Sequence, residues 1–354
     1  MKEMIEKAEK YILDNGSLVN PLYKPILHFS ARVGWINDPN GFIYDGENYH
    51  LFYQYYPYDS VWGPMHWGHA KSNDLISWEH LPIALAPSEP YDSSGIFSGT
   101  SIIENNQFSI YYTGHVDRDA KVEQTQCIAF SNDGLNFTKY ENNPLLSSID
   151  MPNDSIYADF RDPKIIKRDN AYILLVASRT MEYVGQILIY SSLDGLNFDY
   201  KNRIVLQRFY GDIVECPDLF HIDNKDILVF STQKAILSSE VQNSFSVFAF
   251  IGEFDLKQYQ FIKEYEQVLD YGFDFYAPQI AFDGQNHVLI AWMNSWERSM
   301  PTHLLNHGWA GSMTLPRVLK LSDSKIVQSF PTSLLSNEKR VMNEASLSLI
   351  SKQE

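Results

Sequence analysis

Cysteine is nearly absent from this chain. Two occur in 354 residues, Cys127 and Cys216. They lie far apart and match no metal-ligand spacing, so no metal module is expected. Two buried free thiols in a reducing compartment are the expected state. Positive charge is also scarce: 28 Lys and Arg stand against 44 Asp and Glu, a formal net charge of −16. Such a field repels phosphate backbones and argues against nucleic acid as a partner. A phosphorylated small substrate would need a locally basic pocket. No apolar run approaches the length of a membrane span, so no membrane partner is expected. Charges interrupt the first thirteen residues throughout, leaving no apolar stretch of the signal-peptide kind. A cytoplasmic location is the expectation. Helical periodicity is missing after residue 20, which counts against a parallel α/β fold.

Aromatic residues are plentiful, with 22 Tyr and 21 Phe, and hydrophobic residues make up 44% of the chain. Aromatics favour strands, and flat rings also stack on sugar faces. The length allows about two domains or one large β architecture. Residues 2–14 carry Ile5, Ala8, Ile12 and Leu13 at helical spacing and predict a short amphipathic helix. From His28 onward short strands alternate with turns. Phe42-Ile43-Tyr44, Asp45-Gly46 and then residues 49–54 form a hairpin signature. Apolar runs recur at 109–112, 172–176, 227–230 and 288–292, roughly sixty residues apart. A second element repeats in phase: Ser131-Asn132-Asp133-Gly134-Leu135-Asn136-Phe137 matches residues 192–198 closely and 72–78 loosely. Each is expected to be a hairpin turn ending in an inward-packing aromatic. Strand-only periods of this length predict propeller blades, about five of them. The predicted organisation is an N-terminal helix and entry segment over 1–27, an all-β propeller over 28–331 and a short C-terminal remnant over 332–354. The last blade is expected to end near 317–326, with room for a further strand or two. The sequence leaves the oligomeric state open.

Three acids stand out by their neighbours. Asp38 lies in Trp35-Ile36-Asn37-Asp38-Pro39-Asn40-Gly41. Pro39 pushes Asp38 out of the helical region, and Asn40-Gly41 is a turn signal. Asp162 lies in Phe160-Arg161-Asp162-Pro163-Lys164, and Glu215 in Val214-Glu215-Cys216-Pro217-Asp218. Each falls in a different copy of the repeat, and equivalent blade positions converge on a propeller's axis. Two carboxyl groups, one ionised and one protonated, suit cleavage of a glycosidic bond. Asp38 is the candidate nucleophile. Glu215, flanked by Val214 and Cys216 in what reads as the more apolar setting, is the candidate acid, which needs a raised pKa. Asp162 is the candidate holder of substrate hydroxyls, with Arg161 keeping it charged. Trp67 and Trp78 read as packing, and Trp62, beside Gly63-Pro64, as a residue of the site mouth.

Those three blocks resemble the signature blocks of family 32 of the glycoside hydrolases, which holds invertases, sucrose-6-phosphate hydrolases, inulinases and levanases. Segments 52–57, 67–72, 78–85, 95–100, 269–278 and 308–317 are also similar to family segments. The resemblance implies a five-bladed propeller and a retaining mechanism at a β-linked fructosyl unit, with Asp38 as nucleophile, Asp162 as transition-state stabiliser and Glu215 as acid/base. It implies sugar contacts from Trp35, Asn37, Gln54, Trp62, Phe97, Ser98, Arg161, Asp274 and one of Trp292 or Trp296. No cofactor or metal is expected, since carboxylates suffice for the reaction. The partner is a small sugar, sucrose or sucrose 6-phosphate. Alternatives are a fructan hydrolase, a fructosyltransferase or an inactive sugar-binding propeller. The family's C-terminal β-sandwich is largely missing, so exposed apolar patches are expected where it would pack.

Overall fold

A computed structural model of the chain describes residues 1–119, 121–236 and 242–335. After helix α1 (Lys2–Asn15) the chain is almost entirely strand. The first sheet is β1 (Gly34–Tyr44), β2 (Tyr49–Tyr56), β3 (His66–Ser72) and β4 (Glu79–Leu85). The second is β5 (Gly95–Glu104), β6 (Gln107–Arg118), β7 (Lys121–Ser131) and β8 (Thr138–Lys139). The third is β9 (Arg161–Arg168), β10 (Ala171–Arg179), β11 (Gly185–Ser192) and β12 (Asp199–Val205). The fourth is β13 (Ile213–Ile222), β14 (Lys225–Ile236), β15 (Gln242–Asp255) and β16 (Gln260–Val268). The fifth is β17 (Tyr276–Phe282) and β18 (His287–Trp292), then, after the two-residue β19 (Trp309–Ala310), β20 (Arg317–Ser322) and β21 (Lys325–Ser329). The strands within each blade run antiparallel, and the fold is the five-bladed propeller that the repeat predicts. Strand β19 pairs in parallel with Gly34 and Trp35. The Gly34 N–H donates to the Gly308 carbonyl at 2.9 Å, so the last blade is tied to the first.

The apolar runs legible in the sequence are the second strands of the blades. Ile227, Leu228, Val229 and Phe230 have no exposed surface. A strand covered on both faces needs apolar side chains at every position. The serine–aspartate repeats are the turns between third and fourth strands. Asp133 Oδ1 accepts from Ser131 Oγ at 2.8 Å and from the Leu135 and Asn136 N–H groups at 2.9 and 2.7 Å. Asp194 and Asp74 repeat the pattern. These bonds hold the three carboxyls below their usual range.

Helix α1 buries Ala8 and Ile12, but Leu13, expected on the same face, is 81% exposed. Glu9 Oε1 accepts from the Ile83 N–H at 2.8 Å, so the helix occupies part of the otherwise open edge of β4. Two four-residue helices, α2 (Pro301–Leu304) and α3 (Thr332–Leu335), interrupt the strand-only pattern expected after residue 20. Trp67 is fully buried, and Trp78 packs edge-on against Phe29. The last blade runs on to Ser329, where Val327 and Phe330 are about half exposed. The strands expected further on fall on α3 and then outside the described residues. No helix among the described residues is long and apolar enough to cross a membrane.

The first strand of each blade lines the axis, and polar latches join these strands around it. Thr100 Oγ1 on β5 donates to the Pro163 carbonyl at 3.0 Å and accepts from the Ile165 N–H at 2.9 Å. Lys164 on β9 pairs with Asp218 on β13 at 2.8 Å. Asp218 Oδ2 accepts from the Ile280 N–H of β17 at 3.0 Å. Gln279 of β17 accepts from the Phe42 N–H of β1 at 3.1 Å and donates to the Gly99 carbonyl of β5 at 2.8 Å. Ser101 of β5 donates to the Gly41 carbonyl of β1 at 2.8 Å. Gln279→Ala would strand a buried N–H and a buried carbonyl on two different blades. It is expected to lower unfolding free energy by about 2–4 kcal/mol, measured by urea denaturation, with exposed Gln285→Ala unchanged as the control.

Candidate active site

Each axial strand slips register against its neighbour near its start. The slips lie between Ile36 and Pro39, Phe97 and Gly99, Arg161 and Lys164, Glu215 and Asp218, and Tyr276 and Gln279. These are β-bulges, which re-aim side chains away from strict alternation. At three of them a non-glycine residue takes a left-handed backbone: Asp162 (φ 60°), Cys216 (φ 48°) and Ala277 (φ 50°). A proline follows each, and having no N–H it orphans no donor in the broken ladder. At Gly99 a Cβ would come within 2.0 Å of the Tyr111 carbonyl, so only glycine lets β5 bulge there.

The bulges bring Asp38, Ser98, Asp162 and Cys216 together at the axis. Ser98 Oγ donates to Asp38 Oδ2 at 2.7 Å. The Cys216 N–H donates to Asp162 Oδ2 at 3.0 Å. Cys216 Sγ lies 3.7 Å from Asp38 Oδ2 and 3.6 Å from Asp162 Oδ2, so the two acids stand on either side of one thiol. The Asp162 N–H donates to Thr113 Oγ1 at 3.0 Å. Asp38 Oδ1 is buried and has no hydrogen-bond partner among the described residues. Both aspartates are over nine-tenths buried. Burial pushes Asp38 up to about 6; the Glu215 charge adds to this, and the Ser98 hydroxyl, the nearby Asn37 amide and the Cys216 thiol oppose it. Burial pushes Asp162 up to about 7, with Arg161 pulling down and the charges of Glu215 and Asp38 pushing up.

Glu215 stands in a polar setting, contrary to the sequence reading. Oε1 accepts from Arg161 Nε and Nη2 at 3.2 and 3.0 Å. Oε2 accepts from Gln233 Nε2 at 2.9 Å and from the Tyr276 hydroxyl. The sequence neighbours mislead because a strand sends alternate side chains to opposite faces: Val214 packs in a blade core, and Cys216 faces the aspartates. Arg161 also holds Asp159 at 2.8 Å, and Asp159 pairs with Arg179 at 2.6 Å. Arg161 therefore reaches Asp162 through its field while its hydrogen bonds go to Glu215 and Asp159.

Around these acids, Trp35 Nε1 donates to Asn37 Oδ1 at 2.8 Å, and Gln54 Nε2 donates to the Ile96 carbonyl at 2.9 Å. Trp62 is 45% exposed and meets Phe97 edge-on at 6.0 Å. The structure separates the two candidate tryptophans. Trp296 is over a third exposed and stacks on Trp35 at 6.2 Å. Trp292 is fully buried behind both, which removes it from the ligand-contacting set. Asp274 also departs from expectation. It pairs with Arg298 and lines a cavity of about 520 Å³ with His28 and Arg317 on the flank of the fifth blade. No hydrogen bond joins it to the three acids among the described residues. Tyr276, Gln233 and Thr113 were missed as site residues. Tyr276-Ala277-Pro278 was detectable as a further copy of the Arg161-Asp162-Pro163 and Glu215-Cys216-Pro217 pattern. Gln233 and Thr113 lie on second strands and carry no local signal. Among the described residues no group of three or more His, Cys, Asp or Glu is arranged to hold a metal ion. The arrangement offers one buried carboxylate oxygen without a hydrogen-bond partner among the described residues and a second carboxyl held by four donors, the components of glycosidic cleavage.

Comparison with known proteins points the same way. The profile of the glycosyl hydrolases family 32 N-terminal domain matches residues 28–330. A sucrose-6-phosphate hydrolase of Zymomonas mobilis is 39% identical over 350 residues, covering 93% of this chain and 66% of the relative. One from Escherichia coli is 38% identical over 318 residues, covering 86% of this chain and 64% of the relative. The chain thus spans about two thirds of the length of these relatives. Among solved structures, a Bombyx mori β-fructofuranosidase superposes with a TM-score of 0.88 at 40% identity, covering 96% of this chain and 72% of that one. A sucrose-6-phosphate hydrolase from Lactobacillus gasseri gives 0.82 at 30% identity, covering 91% and 66%.

The buried acids set a pH dependence for stability. Asp38 binds its proton up to about pH 6 in the fold, against 3.8 for an ordinary aspartate. Between those values the folded chain holds more protons than the unfolded one, so this group's contribution to stability falls as pH rises through the window. Asp38→Asn removes that loss. At about pH 8 the variant is expected to be more stable than the parent by on the order of 3 kcal/mol, an advantage shrinking toward pH 4. Urea denaturation across this range checks it; an advantage independent of pH would contradict the burial argument.

Proposed function

The chain belongs to family 32 of the glycosyl hydrolases, and from that premise we propose that it hydrolyses the β-fructofuranosyl linkage of sucrose or sucrose 6-phosphate with retention of configuration. The observation that carries the proposal is the convergence of Asp38, Asp162 and Glu215 from three blades, with Asp38 Oδ1 free of any hydrogen bond among the described residues. In this reading Asp38 Oδ1 attacks the anomeric carbon of the fructosyl unit. Its other oxygen is held by Ser98, which fixes the carboxylate plane. Glu215 donates a proton to the departing glycosidic oxygen, and the leaving sugar departs. Water then attacks the fructosyl–enzyme ester as Glu215 takes back a proton. Asp162, anchored by the Cys216 N–H, accepts from fructosyl hydroxyls and stabilises the developing positive charge. Arg161 orients Glu215 through two guanidinium hydrogen bonds. Trp62, Phe97 and Trp296 supply apolar surface for the sugar faces, and Asn37 and Gln54 supply polar contacts.

The phosphorylated substrate enters this proposal because the relatives of Zymomonas mobilis and Escherichia coli bear that name. A cytoplasmic setting is part of it as well, and the two free, buried thiols fit that setting. The test is release of glucose or glucose 6-phosphate by the purified chain. Glu215→Ala and Asp38→Ala are each expected to lower kcat/KM by about three orders of magnitude or more. Early product fructose, read by NMR before mutarotation, is expected to be the β anomer. Failure of the parent to cleave sucrose, sucrose 6-phosphate or inulin would leave a sugar-binding propeller as the function. Activity is expected to survive EDTA, since the carboxylates suffice for both steps; loss on chelation would overturn that part of the mechanism.

A further inference from the structure

Strand β6 carries a ladder of side chains on one face, because residues two apart point the same way. Thr113 is the lowest rung and accepts the Asp162 N–H. His115 is the next, and Asp117 stands above it near the tip of the hairpin, where Asp117 is exposed. The ladder thus rises from the acids toward solvent, on the side of the site where Arg161 stands. His115 is 7% exposed, as deep as Asp38 at 9% and Asp162 at 6%. Its ring lies flat on Phe97, with centroids 3.9 Å apart and 12° between planes. With Trp62 against the edge of Phe97, three rings form one continuous aromatic wall beside Ser98, and the imidazole is its polar member.

The hydrogen bonds behind His115 fix which nitrogen carries hydrogen. Gln124 Oε1 accepts from the Phe160 N–H at 3.0 Å, which sets the orientation of that amide. Its Nε2 therefore faces His115 Nδ1, at 3.5 Å. An amide nitrogen only donates, so Nδ1 accepts and the hydrogen resides on Nε2. Burial and the nearby Arg161 charge lower the imidazole, against the pull of Asp117, to about 4. At neutral pH the ring is uncharged. Nε2 has no hydrogen-bond partner among the described residues and keeps some of its surface open.

We propose that His115 is a specificity-determining residue that reads the leaving sugar, its Nε2–H donating to a hydroxyl oxygen of the hexose expelled from the fructosyl unit. This rests on the reaction proposed above. The argument is one of position: the fructosyl unit must sit over Asp38, so the leaving group must lie higher, along the wall that His115 lines. A donor built to pair with a substrate hydroxyl discriminates against leaving groups that lack one.

The test compares sucrose with methyl β-D-fructofuranoside, which share the fructosyl unit and differ in the leaving group. His115→Phe keeps an aromatic ring on Phe97 and removes the donor. It is expected to lower kcat/KM on sucrose about tenfold and on the methyl glycoside less than twofold. His115→Gln, which restores an N–H donor, is expected to recover most of the loss on sucrose. Inhibition by free fructose should be unchanged in each variant, showing that the floor of the site is intact. His115→Ala, read by the same ratio, serves where the Phe variant does not fold. Equal losses on both substrates, or none on sucrose, would overturn the inference while leaving the reaction standing. A parent chain that cleaves neither substrate would instead refute the reaction.

Discussion

A register slip near the start of every axial strand is the constraint on which the rest of this structure depends. Regular alternation would send successive residues to opposite faces of a blade. The bulge suspends that rule for one or two residues, so that a side chain from each blade turns to the axis. Holding a non-glycine residue left-handed costs of order 1–3 kcal/mol, and Asp162, Cys216 and Ala277 all adopt that conformation. The prolines that follow reduce the cost, because they leave no N–H unpaired in the interrupted ladder and restrict the unfolded chain.

The bulges would be loose if the blades could slide past one another. The latches beneath them prevent this. Thr100, Lys164, Asp218 and Gln279 each bond a neighbouring axial strand, and the β19–β1 pairing closes the circle. The same rigidity carries the electrostatic load above. Two buried aspartates held above their ordinary range are a net cost to the fold, and the latched ring absorbs it. A site whose groups arrive from different blades is oriented by the whole ring, so its geometry is set before any ligand enters.

Much of this was legible in the sequence, for identifiable reasons. The second strands are buried on both faces and read as unbroken apolar runs, so the blade count followed from them. The serine–aspartate turns repeat because one Asx geometry is used three times. The acids could be picked out because proline marks the bulges. Environment was harder to read. Glu215 was assigned an apolar setting from Val214 and Cys216, yet its surroundings come from Arg161, Gln233 and Tyr276 on other strands. Trp292 and Trp296 are four residues apart and alike in sequence. Only packing against Trp35 shows that one is buried and the other lies at the rim. Asp274 sits in a loop and pairs with Arg298 from a later segment, which no local pattern encodes.

The ring also explains why one of the chain's two cysteines stands at its centre. Around the axis the bulges place Asp38, Ser98, Asp162, Cys216 and Ala277, one from each blade. Two of the five are acids, and the thiol of the fourth lies within 3.7 Å of a carboxylate oxygen on each. A third carboxylate there would place a like charge against two buried acids and could not be ionised beside them. An apolar residue would take one weak donor from each of those oxygens, leaving Asp38 Oδ2 to Ser98 and Asp162 Oδ2 to the backbone N–H of residue 216. A thiol is small and weakly donating, and burial together with the neighbouring negative charges drives its pKa well up, so it stays protonated wherever the aspartates are charged. Cys216 is thus a neutral spacer that keeps two acids apart while its backbone N–H anchors one of them. Glu215, one residue earlier, is turned instead toward Arg161 and Tyr276. Reversing the order of these two residues would exchange a spacer for a third axial acid and take the carboxylate away from Arg161, so the fourth blade's contribution depends on their sequence as much as on their identities.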